Sequence, residues 1–200
     1  MAGKIANPAP LGLFGFGLTT VLLNFENAGI SDKALLNLVL SHGFFYGGLA
    51  QFCAGMWEFK TGNTFGATAF SSYGAFWISL AAFIWGHEGG LFAMAGQVDM
   101  AIYFAIWGLV TAGLWVITFR INKALAVVFG SLVLLFALLA IGEYSTPVHK
   151  LAGYVGLFCG ASAIYTGYAT LLNETWKGQF LPLGVYDAVP KNEEAEDVKF

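Results

Sequence analysis

Apolar residues in this chain are gathered into six long runs, at residues 10–25, 34–57, 67–86, 100–119, 124–142 and 151–172, with short polar connections between them. Each run is continuous rather than alternating, and each is longer than a barrel strand. About 17–25 residues of helix cross a hydrocarbon core. In lipid a segment must satisfy its own backbone hydrogen bonds, so uninterrupted runs of this length predict helices. The first run is slightly short and is expected to begin before Pro10. None of the six contains an Asp, Glu, Lys or Arg. The pattern predicts an all-α polytopic membrane protein: a six-helix transmembrane domain over residues 1–172, then a polar tail over 173–200 that holds Pro182 and Pro190 and ends in the acids Glu193, Glu194, Glu196 and Asp197.

Composition agrees. Charged residues make up 10% of the 200 positions and hydrophobic ones 58%, whereas soluble domains carry about 25% charged residues. There is no basic patch to recruit nucleic acid. The two cysteines, Cys53 and Cys159, lie inside apolar runs with no Cys-x-x-Cys spacing and read as small buried hydrophobes. An even number of spans puts both termini on one side. Of the nine basic residues, Lys4, Lys60, Arg120, Lys123, Lys177, Lys191 and Lys199 fall on the side of the termini, and only Lys33 and Lys150 on the other. Positive residues stay in the cytoplasm, so a multi-pass protein of the cytoplasmic (inner) membrane with both termini cytoplasmic is expected.

Two features bear on packing. The sixth run carries Gly153, Gly156, Gly160, Ala163 and Gly167 at spacings of three and four, and the second carries Gly43 and Gly47 with Gly48 and Gly55 nearby. Small residues let helix backbones approach closely in lipid, either within one bundle or between subunits.

Candidate chemistry is sparse. Asn7-Pro8-Ala9-Pro10 reads as a cap and first turn, with Asn7 capping a helix that starts at Pro8 and free N–H groups that attract anions. The polar residues within the runs are mostly hydroxyls, such as Thr20 and Ser71, which can bond carbonyls of their own helix. His42 and Gln51 have no such partner available and are expected to face the bundle interior or a pore, His42 equally an interface. No buried carboxylate pair, zinc motif, serine triad or P-loop is present, which speaks against an enzyme and implies no cofactor or metal. Neutral hydroxyls and aromatic rings suit a path for a small solute held by hydrogen bonds. A structural or signalling membrane protein with a solid aromatic core is the alternative.

Several segments add a resemblance: Asn7-Pro8-Ala9-Pro10-Leu11-Gly12-Leu13, Gly15-Phe16-Gly17, Phe45-Tyr46-Gly47-Gly48-Leu49-Ala50-Gln51, Gly62-Asn63-Thr64-Phe65-Gly66, Phe70-Ser71-Ser72-Tyr73-Gly74-Ala75-Phe76-Trp77 and Cys159-Gly160-Ala161-Ser162-Ala163-Ile164-Tyr165. With them the chain resembles the acetate uptake transporter family over nearly its whole length. The resemblance implies a channel or permease for acetate, other small monocarboxylates or succinate, with a proton-coupled symporter as the alternative. It also implies a homo-hexamer with one central path per protomer, and a hydrophobic constriction at Phe16, Tyr73 and Leu132. Ala163 matches a position associated with the choice between acetate and larger carboxylates. Residues expected along the path are Asn7, Pro8, Thr20, Tyr46, Gln51, Ser71, Trp77 and Ala163. Spacing is compatible with this picture, since Phe16 and Thr20, Tyr73 and Trp77, and Leu132 and Phe136 each lie one helical turn apart.

Overall fold

The structure, a computed structural model, describes residues 5–32 and 34–186. Lys4, Lys33, Lys191, Lys199 and the acidic run of the tail lie outside the described residues. Seven α-helices follow in order: α1 (Ala9–Asn27), α2 (Leu35–Phe44), α3 (Gln51–Thr61), α4 (Thr64–Glu88), α5 (Gln97–Thr118), α6 (Lys123–Gly142) and α7 (Thr146–Thr175). Five of them, α1 and α4 to α7, are long and apolar enough to cross a membrane by themselves.

The remaining crossing differs from the single helix expected at 34–57. A π-helical stretch, Phe45–Ala50, joins α2 to α3 without a break. Here Gly47 and Gly48 are buried, and the carbonyl of Tyr46 lies 2.7 Å from where a Cβ on Gly15 of α1 would stand. A wider turn shifts the phase of the residues that follow it. Gln51, the first residue of α3, is turned inward and is 1% exposed. The chain therefore makes six crossings, one of them in three pieces.

The crossings form a closed ring. α5 packs on α6, α6 on α7, α7 on α1, α1 on α2, α3 and the π stretch, and these on α4. Aromatic contacts complete the circle between α4 and α5, where the Tyr73 and Phe76 rings meet Trp107 at 6.0 and 5.0 Å between centroids. The core cluster occupies the middle of this ring, with Phe16, Tyr73, Phe76, Phe129, Leu132 and Phe136 among its members.

Both small-residue stripes pack within the bundle. On α7, Gly153 faces Ala28, Gly156 faces Asn24, and Gly160 faces the Gly17 carbonyl. On the second crossing, Gly43 faces Trp77 and Ala81, Gly47 faces Thr19, and Gly55 faces Ser71. Two backbones in van der Waals contact leave no room for side chains between them, which is why glycine stands on both sides of the α1–α7 crossing.

The two described ends of the chain meet at one end of the bundle, here called the terminal end. Asn7 donates to Glu174 Oε2 at 2.9 Å. The position expected as the start of the tail, residue 173, falls inside α7, which continues to Thr175. Beyond it the chain folds back. Asn173 Oδ1 accepts from the N–H groups of Phe180 and Leu181, Tyr165 O–H donates to the Pro182 carbonyl at 2.8 Å, and the Lys123 N–H donates to Gly184.

Candidate functional site

Two cavities lie along the axis of the ring. The larger, about 260 Å³, opens toward the end opposite the termini, among Asn27, Met94, Met100, Glu143 and His149. The smaller, about 20 Å³, lies on the terminal side among Leu13, Gln51, Ala69, Phe70, Val128 and Phe129. That space admits about one water molecule. Three residues line both cavities: Phe16, Tyr73 and Leu132. They come from α1, α4 and α6 and form the partition between the two spaces. Their exposures are 6%, 3% and 3%, and the Phe16 and Tyr73 rings stand 5.7 Å apart.

The Tyr73 hydroxyl is held away from the partition. It lies 2.8 Å from Thr111 Oγ1, and Thr111 spends its own hydrogen on the Trp107 carbonyl at 2.6 Å. Tyr73 is therefore the donor, and an apolar ring face remains toward the two cavities. A Tyr73→Phe substitution removes this bond and leaves Thr111 partnered. It is expected to lower stability by about 1 kcal/mol, read as a lower unfolding midpoint in detergent, and an unchanged midpoint would show that the hydroxyl contributes nothing.

The other expected path residues divide into three groups. Thr20 and Trp77 line the larger cavity one turn beyond Phe16 and Tyr73. Thr20 Oγ1 and Trp77 Nε1 are buried and have no hydrogen-bond partner. Gln51 lines the smaller cavity, and its Oε1 is also buried without a partner. In the second group, Ser71 packs against Gly55 of α3, Tyr46 stands edge-on to His42 at 5.8 Å, and Ala163 is fully enclosed in the core; none of the three lines either cavity.

The third group is at the chain start. α1 begins at Ala9, one residue later than expected, and Pro8 is its buried cap residue. Asn7 Oδ1 accepts from the Ala9 N–H at 3.0 Å. Through Asn7, the Glu174 carboxylate also stands at this helix start. An acid there is favourable to the helix dipole and occupies the place where a free anion would be collected. Asn7 borders an open mouth of about 640 Å³ shared with Glu58, Lys60, Thr61, Asn63 and Glu174.

Several helix hydroxyls bond carbonyls of their own helix, as with Thr118, Ser131, Ser162, Thr166 and Thr170. The helix hydroxyls of Thr19, Thr20 and Ser71 have buried oxygens without a partner and are therefore informative.

Sequence reasoning assigned no role to two groups. Asn24 and Asn27 line the larger cavity with His149 and are joined by hydrogen bonds. Their signal was in the spacing: residues 16, 20, 24 and 27 follow at four, four and three, along one helix face. Glu58, at the end of α3, is 2% exposed; its Oε2 accepts from Thr61 at 2.9 Å, while Oε1 faces the first turn of α4 beside Gly66.

Comparison with known proteins gives consistent results. The profile described as the GPR1/FUN34/yaaH family matches residues 1–182. The succinate-acetate/proton symporter SatP of Escherichia coli K12 is 46% identical over 183 residues, covering 90% of this chain and 96% of that one. Acetate permease A of Emericella nidulans is 36% identical over 208 residues, covering 94% of this chain and 69% of the permease. A solved structure titled as the bacterial acetate channel SatP superposes with a TM-score of 0.87 at 45% identity, covering 90% of this chain and all of that one.

Proposed function

This chain belongs to the GPR1/FUN34/yaaH family, and on that premise we propose that it moves acetate and related small carboxylates, succinate among them, across a membrane through the interior of its own six-crossing ring. The observation that carries the reading is the shared wall: Phe16, Tyr73 and Leu132 line both of the two cavities on the ring axis.

The chemistry fits the cargo. Stripping water from a carboxylate costs several kcal/mol unless donors replace it. Just beyond the constriction, the Thr20 hydroxyl and the Trp77 indole N–H are donors with no protein partner. Phe76, Phe104 and Phe136 supply an apolar wall for a methyl group. Gln51 offers an amide on the other side of the partition. Asn7 borders the mouth that forms the terminal-side entrance, and Pro8 starts α1 beside it. Ser71, Tyr46 and Ala163 act from behind the path, setting the spacing of the helices that line it. A narrow apolar ring gates by excluding water, and weak sites on either side keep a solute moving. This is channel-like behaviour. The related proteins are described both as a symporter and as a channel.

On this reading the protein lies in the cytoplasmic membrane with both termini, and the polar segment after α7, on the cytoplasmic side. Three of the basic residues behind this assignment, Lys60, Arg120 and Lys123, lie at the terminal end, while Lys150 follows His149 at the other. The protomer assembles as a hexamer by family resemblance, each copy keeping its own path. Large apolar side chains on the outside of α5, such as Ile102, Ile106 and Leu109, are exposed for lipid or for neighbouring copies.

Uptake of labelled acetate into proteoliposomes tests the reading. Vesicles holding the protein are expected to fill at least about tenfold faster than empty vesicles, a difference of about 1.4 kcal/mol in barrier. Equal rates would end the proposal in favour of a non-transporting membrane protein.

A further inference from the structure

The larger cavity holds more polar chemistry than one carboxylate needs. Thr20, Asn24 and Asn27 line it along α1, and His149 joins them from α7. Asn24 Nδ2 donates to the Thr20 carbonyl at 2.8 Å, and Asn27 Nδ2 donates to Asn24 Oδ1 at 3.1 Å. Asn27 Oδ1 stands 3.2 Å from His149 Nε2. An amide oxygen only accepts, so Nε2 carries the hydrogen of this bond. His149 Nδ1 is then the ring nitrogen that Asn27 does not engage, and in the neutral ring it is an acceptor.

Two groups of partners are thus set apart along one helix. At the inner end are Thr20 Oγ1 and Trp77 Nε1, both buried without a partner. At the outer end are Asn27 and His149. Thr20 and Asn27 are separated by seven positions, about 10 Å along a helix axis. An extended four-carbon dicarboxylate places its outermost oxygens about 6 Å apart, and a hydrogen bond of about 2.8 Å at each end gives a span of about 12 Å. The opposite wall of the cavity, with Phe104 and Phe136, is apolar and suits the two methylene groups.

We propose that Asn27 and His149 form the subsite for the second carboxyl group of a four-carbon dicarboxylate, whose first carboxylate is held by Thr20 and Trp77. The proposal rests on the transport reading above. Acetate, with one carboxylate, is complete at the inner end.

The charges around the subsite define the form that binds. Glu26 of α1 and Glu143 at the end of α6 border the same mouth, and two fixed carboxylates oppose a dianion. Lys150 reaches over Gly29 nearby. The residues contributed to this mouth by α4, α5 and the loop between them, Ile84, Met94 and Met100, are uncharged. A protonated outer carboxyl group removes one negative charge from this mouth and donates to His149 Nδ1.

Proteoliposomes with the wild-type chain, His149→Gln or Asn27→Leu are supplied with labelled succinate and acetate in parallel. Gln at 149 keeps an amide for Asn27 but has no second ring nitrogen to accept from the carboxyl group. The succinate-to-acetate uptake ratio is expected to fall about tenfold in both variants, the effect of one charge-assisted hydrogen bond. An unchanged ratio overturns the subsite. Wild-type vesicles that take up acetate no faster than empty ones would sink the transport reading itself. A second measurement needs no variant: succinate should raise the unfolding midpoint of the wild-type protein more than succinamate, in which an amide replaces one carboxylate. Equal shifts also overturn the proposal.

Discussion

Leu132→Ala is expected to raise the initial rate of acetate uptake about tenfold and to admit longer monocarboxylates. Leu132 is 3% exposed and belongs to the walls of both cavities. Its isobutyl group is one third of the partition, and it is the part that a single substitution removes with least disturbance of aromatic packing. Phe16 and Tyr73 lean on one another and on Phe129 and Trp107. Truncation joins the space of about 20 Å³ to the one of about 260 Å³. Water can then follow the solute across, and a carboxylate keeps part of its hydration at the point where losing it costs several kcal/mol. Relief of only about 1.4 kcal/mol is a tenfold change in rate. Truncating a buried leucine costs about 2–5 kcal/mol of stability, so the variant must first be shown to elute as the wild type does. Wild-type flux from a folded Leu132→Ala protein would mean that the partition does not limit passage. A fall in stability with no flux in either protein would favour the solid-core alternative.

The crossings were legible in the sequence because lipid leaves few options. A run such as 124–142 without a charge has to be helical, and α6 begins at Lys123 and ends at Gly142. The second crossing was less legible. Hydropathy shows that residues 34–57 are apolar but carries no information about a π stretch, where Gly47 closes on Thr19 of α1 and Gly48 on Ile78 of α4. The expectation of a constriction rested on resemblance; the i, i+4 pairs at Phe16, Tyr73 and Leu132 are compatible with ordinary packing as well. What the sequence could not provide was which side of each helix faces the axis. Ser71 and Thr20 are both threonine-like hydroxyls within apolar runs, yet one packs on Gly55 and the other lines the cavity. Asn24, Asn27 and His149 are brought together across 122 positions between Asn27 and His149, a contact no local spacing could reveal.

Gly160→Leu is expected to abolish recovery of folded protein, whereas Gly113→Leu is expected to be neutral. At the α1–α7 crossing, a Cβ on Gly160 would lie 2.7 Å from the Gly17 carbonyl oxygen, and one on Gly17 would lie 2.9 Å from the Gly160 carbonyl oxygen. Both obstacles are backbone, so no rotamer change makes room. Overpacking by a methylene or so already costs about 1–3 kcal/mol where neighbours can adjust; here the helices must separate. Helices in lipid are held mainly by close packing, since the tails outside are as apolar as the side chains within. Separation would also carry Phe16, Thr20 and Asn24 away from the axis, because all three stand on α1. The constriction and the polar strip would therefore be lost together with the crossing. Gly113, on α5, has nothing within 4 Å of its Cβ position, so the same substitution there meets open space. Yield of monodisperse protein in detergent and its unfolding midpoint compare the two. If Gly160→Leu elutes and melts as Gly113→Leu does, the backbone contact between α1 and α7 is not what positions the path.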